Sequence, residues 1–87
     1  MKSEKDVLRN IGIRLTKLRI EKGFTSYEKF AVEYGLSRMH YWKMEKGQVN
    51  ITVRSLLHLL SIHKLSIEEF FALPVEETNK PTKKIKP

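Results

Sequence analysis

The stretch GLSRMHYWKMEKG, residues 35–47, places two large rings and three permanent cations between two glycines. Ser37 is suited to accept hydrogen bonds from the free amides of a helix that starts at Arg38, and Gly47 to take the left-handed conformation that ends one. At about 100° per residue, Ser37, Tyr41 and Met44 fall within about 60° of one another. Met39, Trp42, Lys43 and Lys46 lie on the opposite side, with Arg38 on its flank. Tyr41 is therefore expected to point into a core and Trp42 out of it. The outward side is basic and aromatic, unlike an ordinary amphipathic surface helix with one apolar stripe.

Outward from this segment, the punctuation is helical throughout. Ser3 with Asp6 caps a first helix, in which Val7, Leu8, Ile11, Leu15 and Leu18 recur at helical spacing until Gly23. Thr25 followed by Glu28 reads as a capping box for a second helix, about residues 26–34, that offers Tyr27, Phe30, Ala31 and Tyr34 before Gly35. The third helix covers about residues 38–46. Thr52 opens a fourth that runs through Ile62, and Ser66 with Glu69 caps a fifth that carries Ile67, Phe70 and Phe71. No alternating strand pattern and no internal repeat occurs. After Leu73 the sequence PVEETNKPTKKIKP holds all three prolines and almost nothing apolar. The expectation is an all-α, five-helix domain over residues 1–73 followed by a disordered basic tail over 74–87.

Composition narrows the function. A chain of 87 residues builds one compact core. It has no cysteine, so neither a disulfide framework nor a thiolate metal site is available. No apolar run reaches the length of a membrane span or a signal peptide, and a cytoplasmic location is expected. Seventeen Lys and Arg against ten acids leave a formal charge of +7, which favours a polyanionic partner. His58 and His63 are five residues apart, about 140° around a helix, and His40 lacks ligand-type neighbours at useful spacing. No metal, no cofactor and no enzyme activity is expected, since no phosphate loop, nucleophile–base pair or carboxylate pair is found.

Two short helices joined by a Gly-containing turn have the layout of a DNA-reading helix-turn-helix. With Leu18-Arg19, Gly23, Phe30-Ala31, Gly35-Leu36-Ser37, Glu45 with Gly47, and the closing LSIEEFF in order, residues 9–73 resemble the lambda-repressor-like family of Cro/CI or xenobiotic-response-element type. Two features depart from it. The interval from Gly23 to Gly35 is one residue longer than the common pattern, and Ile51 stands where many members have Pro. The resemblance implies a transcriptional regulator, expected to be a repressor, that places helix three in the major groove of double-stranded DNA. The base-contacting residues would then be Arg38, Met39, Trp42 and Lys43. Arginine suits the O6 and N7 of guanine, lysine reaches guanine or phosphate as a single charge, and Met or Trp meets a thymine methyl. Phosphate contacts are expected from Thr25, Ser26, Ser37 and Lys46, with Arg14 and Lys17 on helix one. The resemblance also implies an ion pair between Arg19 and Glu45.

Each site has a plainer reading. Trp42 can fold back over the loop at residues 48–51, Arg38 can touch phosphate alone, and the lysines can be solvated surface. Specificity in this motif comes from pairing two half-sites, so a homodimer on a palindromic operator is expected. The apolar excess in SLLHLLSIHKL and Phe70-Phe71 marks helices four and five as its contact, unless it merely fills the core. An alternative is an antitoxin or adaptor whose main partner is a protein. Non-specific binding of polyanions through the lysine tail is a third reading.

Overall fold

The computed structural model describes residues 3–75. It contains five helices, α1 (Glu4–Glu21), α2 (Tyr27–Glu33), α3 (Arg38–Glu45), α4 (Val53–His63) and α5 (Ile67–Ala72), and no strand among the described residues. Beyond Val75, the expected basic tail lies outside the described residues.

Side-chain caps start every helix. Ser3 and Ser66 form capping boxes with Asp6 and Glu69, while Thr52 accepts from the Ser55 amide. Helix α2 departs from the sequence expectation. Its cap is Ser26, which accepts from the amides of Glu28 and Lys29 at 3.1 and 3.2 Å, so Thr25 stands outside the helix and forms no capping box. Adjacent hydroxyl residues compete for this role, and the register that buries both Phe30 and Ala31 decides for Ser26. The helix is seven residues long, shorter than the expected 26–34.

The turn from α2 to α3 is closed by backbone bonds. The Leu36 amide donates to the Ala31 carbonyl at 2.7 Å and the Gly35 amide to Val32 at 3.2 Å, a double closure that requires a left-handed residue at Gly35, where φ is +68°. Helix α4 ends the same way with Lys64 at φ 58°, a conformation that any side chain makes less favourable.

Phe30 is the centre of the core. Its fully buried ring lies 5.0 Å from Tyr41, 4.9 Å from Tyr34 and 5.4 Å from Phe24, and it stacks at 5.5 Å on His63 at the end of α4. Each such aromatic contact adds about 0.5–1.5 kcal/mol beyond area burial. Leu15 from α1, Leu56, Leu59 and Leu60 from α4 and Phe70 from α5 complete the interior. Both α1 and α2 pack on α3, so α3 is held from two sides.

The α1–α3 contact is polar. Arg19 Nε donates to Glu45 Oε2 at 2.7 Å, and its second nitrogen donates to Oε1 at 3.1 Å. A third donor meets the Phe24 carbonyl at 2.8 Å. The two side chains are 8% and 3% exposed, which makes this a buried, forked pair. The hydrogen bond to Glu45 holds the Arg19 pKa above its ordinary value against the opposing effect of burial. Beside them lies the buried Tyr41 hydroxyl, without a hydrogen-bond partner of good geometry. Burial first, and the Glu45 carboxylate second, push its pKa upward. One turn before Leu15 and Thr16, Gly12 backs directly onto the last turn of α3, where any Cβ would collide with the Glu45 carbonyl.

This packing has measurable consequences for stability. Glu45→Ala strands the Arg19 charge in a buried site and is expected to cost about 3–5 kcal/mol, and Gly12→Ala about 1–3 kcal/mol through overpacking. Thermal melts check both, and an unchanged melting temperature for either disproves its part. A second expectation concerns pH. Burial first, and Lys22 second, hold the His63 pKa below its ordinary value, so the folded protein keeps the neutral ring. The unfolded chain takes up this proton at higher pH. The contribution is therefore complete above the unfolded pKa of about 6.5 and declines as pH falls through it toward the folded value. The melting temperature should drop between pH 7.5 and 5.5, and His63→Phe should lessen that drop.

Candidate nucleic-acid interface

Helix α3 has eight residues, about 12 Å of length, and is capped by Ser37, whose hydroxyl accepts from the His40 amide at 3.3 Å. Tyr41, Met44 and Glu45 are buried. Arg38, Met39, Lys43 and Lys46 are exposed, Met39 by 58%. The outward face thus carries three cations and a long apolar side chain, because its one acid is turned inward onto Arg19.

Trp42 is neither fully outward nor folded over residues 48–51. It is half-buried, with its ring 6.5 Å from that of Tyr27 in the first turn of α2 and Lys46 Nζ 6.0 Å from its centre. The wheel of α3 places Trp42 toward α2, and a large ring there finds Tyr27 before it finds solvent. Arg38 is on the same flank. It borders an open groove with Phe24, Ser26 and Lys29, and Glu28 and Glu33 of α2 lie along that groove without an ion pair to it.

The expected phosphate holders divide. Ser26 and Ser37 sit at the starts of α2 and α3, with their oxygens already accepting from helix amides. Thr25 is exposed just before α2. Lys17 of α1 and Lys46 line one groove of roughly 750 Å3 beside Ile13 and Ile20, so the fold brings these two cations together. Arg14 does not join them. Its Nε donates to the Leu73 carbonyl at 3.1 Å and its terminal nitrogen to Phe71 at 3.2 Å, with the guanidinium 5.9 and 5.5 Å from the rings of Phe70 and Phe71. The reason is angular. Gly12 faces α3, and two residues on, about 200° around α1, Arg14 faces away from it. Arg14 is a cap for the end of α5, and burial lowers its pKa. Sequence periodicity carries no signal for this cap, because its acceptors are backbone carbonyls 57 and 59 residues away.

The fold therefore combines an acid-free face on α3, a tight glycine turn before it, and a buried Arg19–Glu45 clamp behind it. Comparison with known proteins agrees with this arrangement. Control protein C.MunI from Mycoplasma sp is 31% identical over 67 residues, which is 77% of this chain and 90% of that protein. The crystal structure of the restriction-modification controller protein C.AhdI from Aeromonas hydrophila matches with a TM-score of 0.69 at 31% identity, covering 80% of this chain and 100% of that one. The chain belongs to the controller-protein family. No family model matches it. Its relatives are regulatory proteins rather than enzymes, and both the all-α fold and the helix-turn-helix agree with theirs. Among the described residues, no group of His, Asp and Glu could hold a metal ion, and no helix is long and apolar enough to cross a membrane.

The geometry separates two substitutions. Trp42→Ala should lower the melting temperature, since the ring packs on Tyr27, and Arg14→Gln should lower it by loosening the end of α5. Only the first should also weaken binding to duplex DNA. Equal losses of affinity in both variants would return Arg14 to the interface.

Proposed function

We propose that this chain is a DNA-binding transcription regulator that reads the major groove with α3 and controls a restriction-modification system, the role carried in the name of its relative C.AhdI, a restriction-modification controller protein. The observation that carries this reading is the outward face of α3. Arg38 and Met39 in the first turn and Lys43 in the last are exposed there on a helix fixed by a buried ion pair, in a chain of net charge +7. Arg38 holds a guanine by its forked donors, Lys43 adds a single charge, and Met39 meets a thymine methyl. Trp42 positions α3 through Tyr27 and offers its free edge to the groove. Lys46, Lys17, Thr25, Ser26 and Ser37 face the backbone phosphates, where helix starts add a positive dipole.

The regulator acts in the cytoplasm, as a repressor, on a palindromic operator. A second copy is needed because one short helix touches only a few base pairs. Val53, Leu57 and Phe71, exposed by 65%, 48% and 42% on α4 and α5, support a homodimer contact there. Phe70 beside them is fully buried, so only part of the apolar excess is available for pairing.

Selection of bound sites from random DNA tests the class and the symmetry together. A two-fold symmetric enriched motif is expected, and recovery of no motif would reject sequence-specific reading. On the enriched site, Arg38→Ala should cost about 1–3 kcal/mol, and much less where the contacted base pair is changed. Lys17→Ala should weaken all sequences alike and make the log–log salt slope shallower by about 0.9. An equal loss across a panel of singly substituted sites would make Arg38 a backbone clamp.

A further inference from the structure

The groove of roughly 750 Å3 between α1 and the end of α3 is lined by Arg9, Ile13, Lys17, Ile20 and Lys46, and Pro74 also borders it. We propose that this groove seats the segment that follows Val75, with the carboxylates of Glu76 and Glu77 against Lys17 and Lys46, and that DNA phosphate displaces them. The seat depends on no functional reading, whereas the displacement rests on the reading of Lys17 and Lys46 as phosphate holders.

The groove is apolar and positive together. Ile13 is half-buried and Ile20 is 52% exposed. The two are seven residues apart, within about 20° of each other around α1, and Lys17 is within about 60° of both. Arg9, Lys17 and Lys46 meet one exposed acid there, Glu21, because Glu45 is turned onto Arg19. The Lys17 ammonium has no hydrogen bond or ion pair among the described residues, and Lys46 meets only the Trp42 ring. A segment that brings carboxylates on aliphatic stems suits this lining.

Chain geometry identifies the segment. Arg14 donates to the carbonyls of Phe71 and Leu73, which pins the end of α5 onto α1. Leu73 is extended, as the residue before a proline is, and passes the chain to Pro74 at the groove. Val75, the last described residue, is half-buried. At 3.3–3.6 Å per residue, Glu76 and Glu77 follow within about 7 and 11 Å of Pro74. The lysines at 80, 83, 84 and 86 come only later. The residues within reach are therefore those of opposite charge to the groove. Tethering gives them an effective concentration on the order of millimolar, which is what a weak exposed pair needs.

Two experiments on the full chain test the proposal. The chain has no cysteine, so introduced pairs report proximity without background. Thr78→Cys with Ile13→Cys or with Ile20→Cys should close an intramolecular disulfide about tenfold faster than with Val32→Cys, which is exposed on α2 outside the groove. Adding Glu76→Gln/Glu77→Gln should remove the difference. Equal rates for the three pairs overturn the seat, and so does linkage only between chains, which would assign the groove to a second copy. In the second experiment, Glu76→Gln/Glu77→Gln should raise affinity for random duplex by about threefold to tenfold. Most of that gain should vanish in a Lys17→Gln/Lys46→Gln background. The same gain in both backgrounds overturns the displacement. A parent that binds no duplex rejects the DNA reading and the displacement with it, while the disulfide rates decide the seat by themselves.

Discussion

Helix α3 depends on one buried ion pair. A helix of eight residues is too short to be stable in water by itself, so α3 exists only as far as its neighbours hold it. Its inward face supplies two apolar side chains, Tyr41 and Met44, and the third inward residue is Glu45. A buried carboxylate is tolerated only where a cation and good geometry answer it, and Arg19 does so with two parallel hydrogen bonds. Because the fork fits in one orientation, it sets the rotation of α3 as well as its distance from α1. That rotation is what aims Arg38, Met39 and Lys43 outward together.

The same pair shapes the charge of the surface. Glu45 is the sole acid of α3, and turning it inward leaves the outward side positive. A second constraint comes from aromatic packing. Phe30 is in contact with rings from α3 and α4 and with its own neighbours, so α2 cannot shift without disturbing the whole core. Tyr27, on the same short helix, then supports Trp42 from the side. The Trp42 ring is therefore part support and part surface, which explains how a helix turn can carry Tyr41 and Trp42 side by side.

The described surface is consequently divided by function. Cations that pack on backbone carbonyls, such as Arg14, serve the fold. Around α3, Lys43 and Arg54 have no partner among the described residues, and Lys46 meets only the Trp42 ring. The apolar positions left open, Val53, Leu57 and Phe71, are on other elements, α4 and α5.

The five helices and their order were legible in the sequence, because capping hydroxyls, Gly stops and 3.6-residue periodicity are local signals that act within one or two turns. Periodicity also separated Tyr41 from Lys43 on α3, and the family resemblance indicated Arg19 with Glu45. The exact cap of α2 was not legible, since Thr25 and Ser26 are chemically equivalent and only the burial of Phe30 and Ala31 distinguishes them. The environments of Arg14 and Trp42 were likewise set by tertiary contacts. One faces carbonyls more than fifty residues away, and the other rests on a ring from a neighbouring helix. Gly12 shows the limit most plainly. In the sequence it is a weak helix residue, and only the approach of α3 gives its missing side chain a purpose. Local chemistry determined which residues form helices and which side of each is polar. The close approach of elements distant in the chain decided which cations are spent within the fold and which remain for a polyanion.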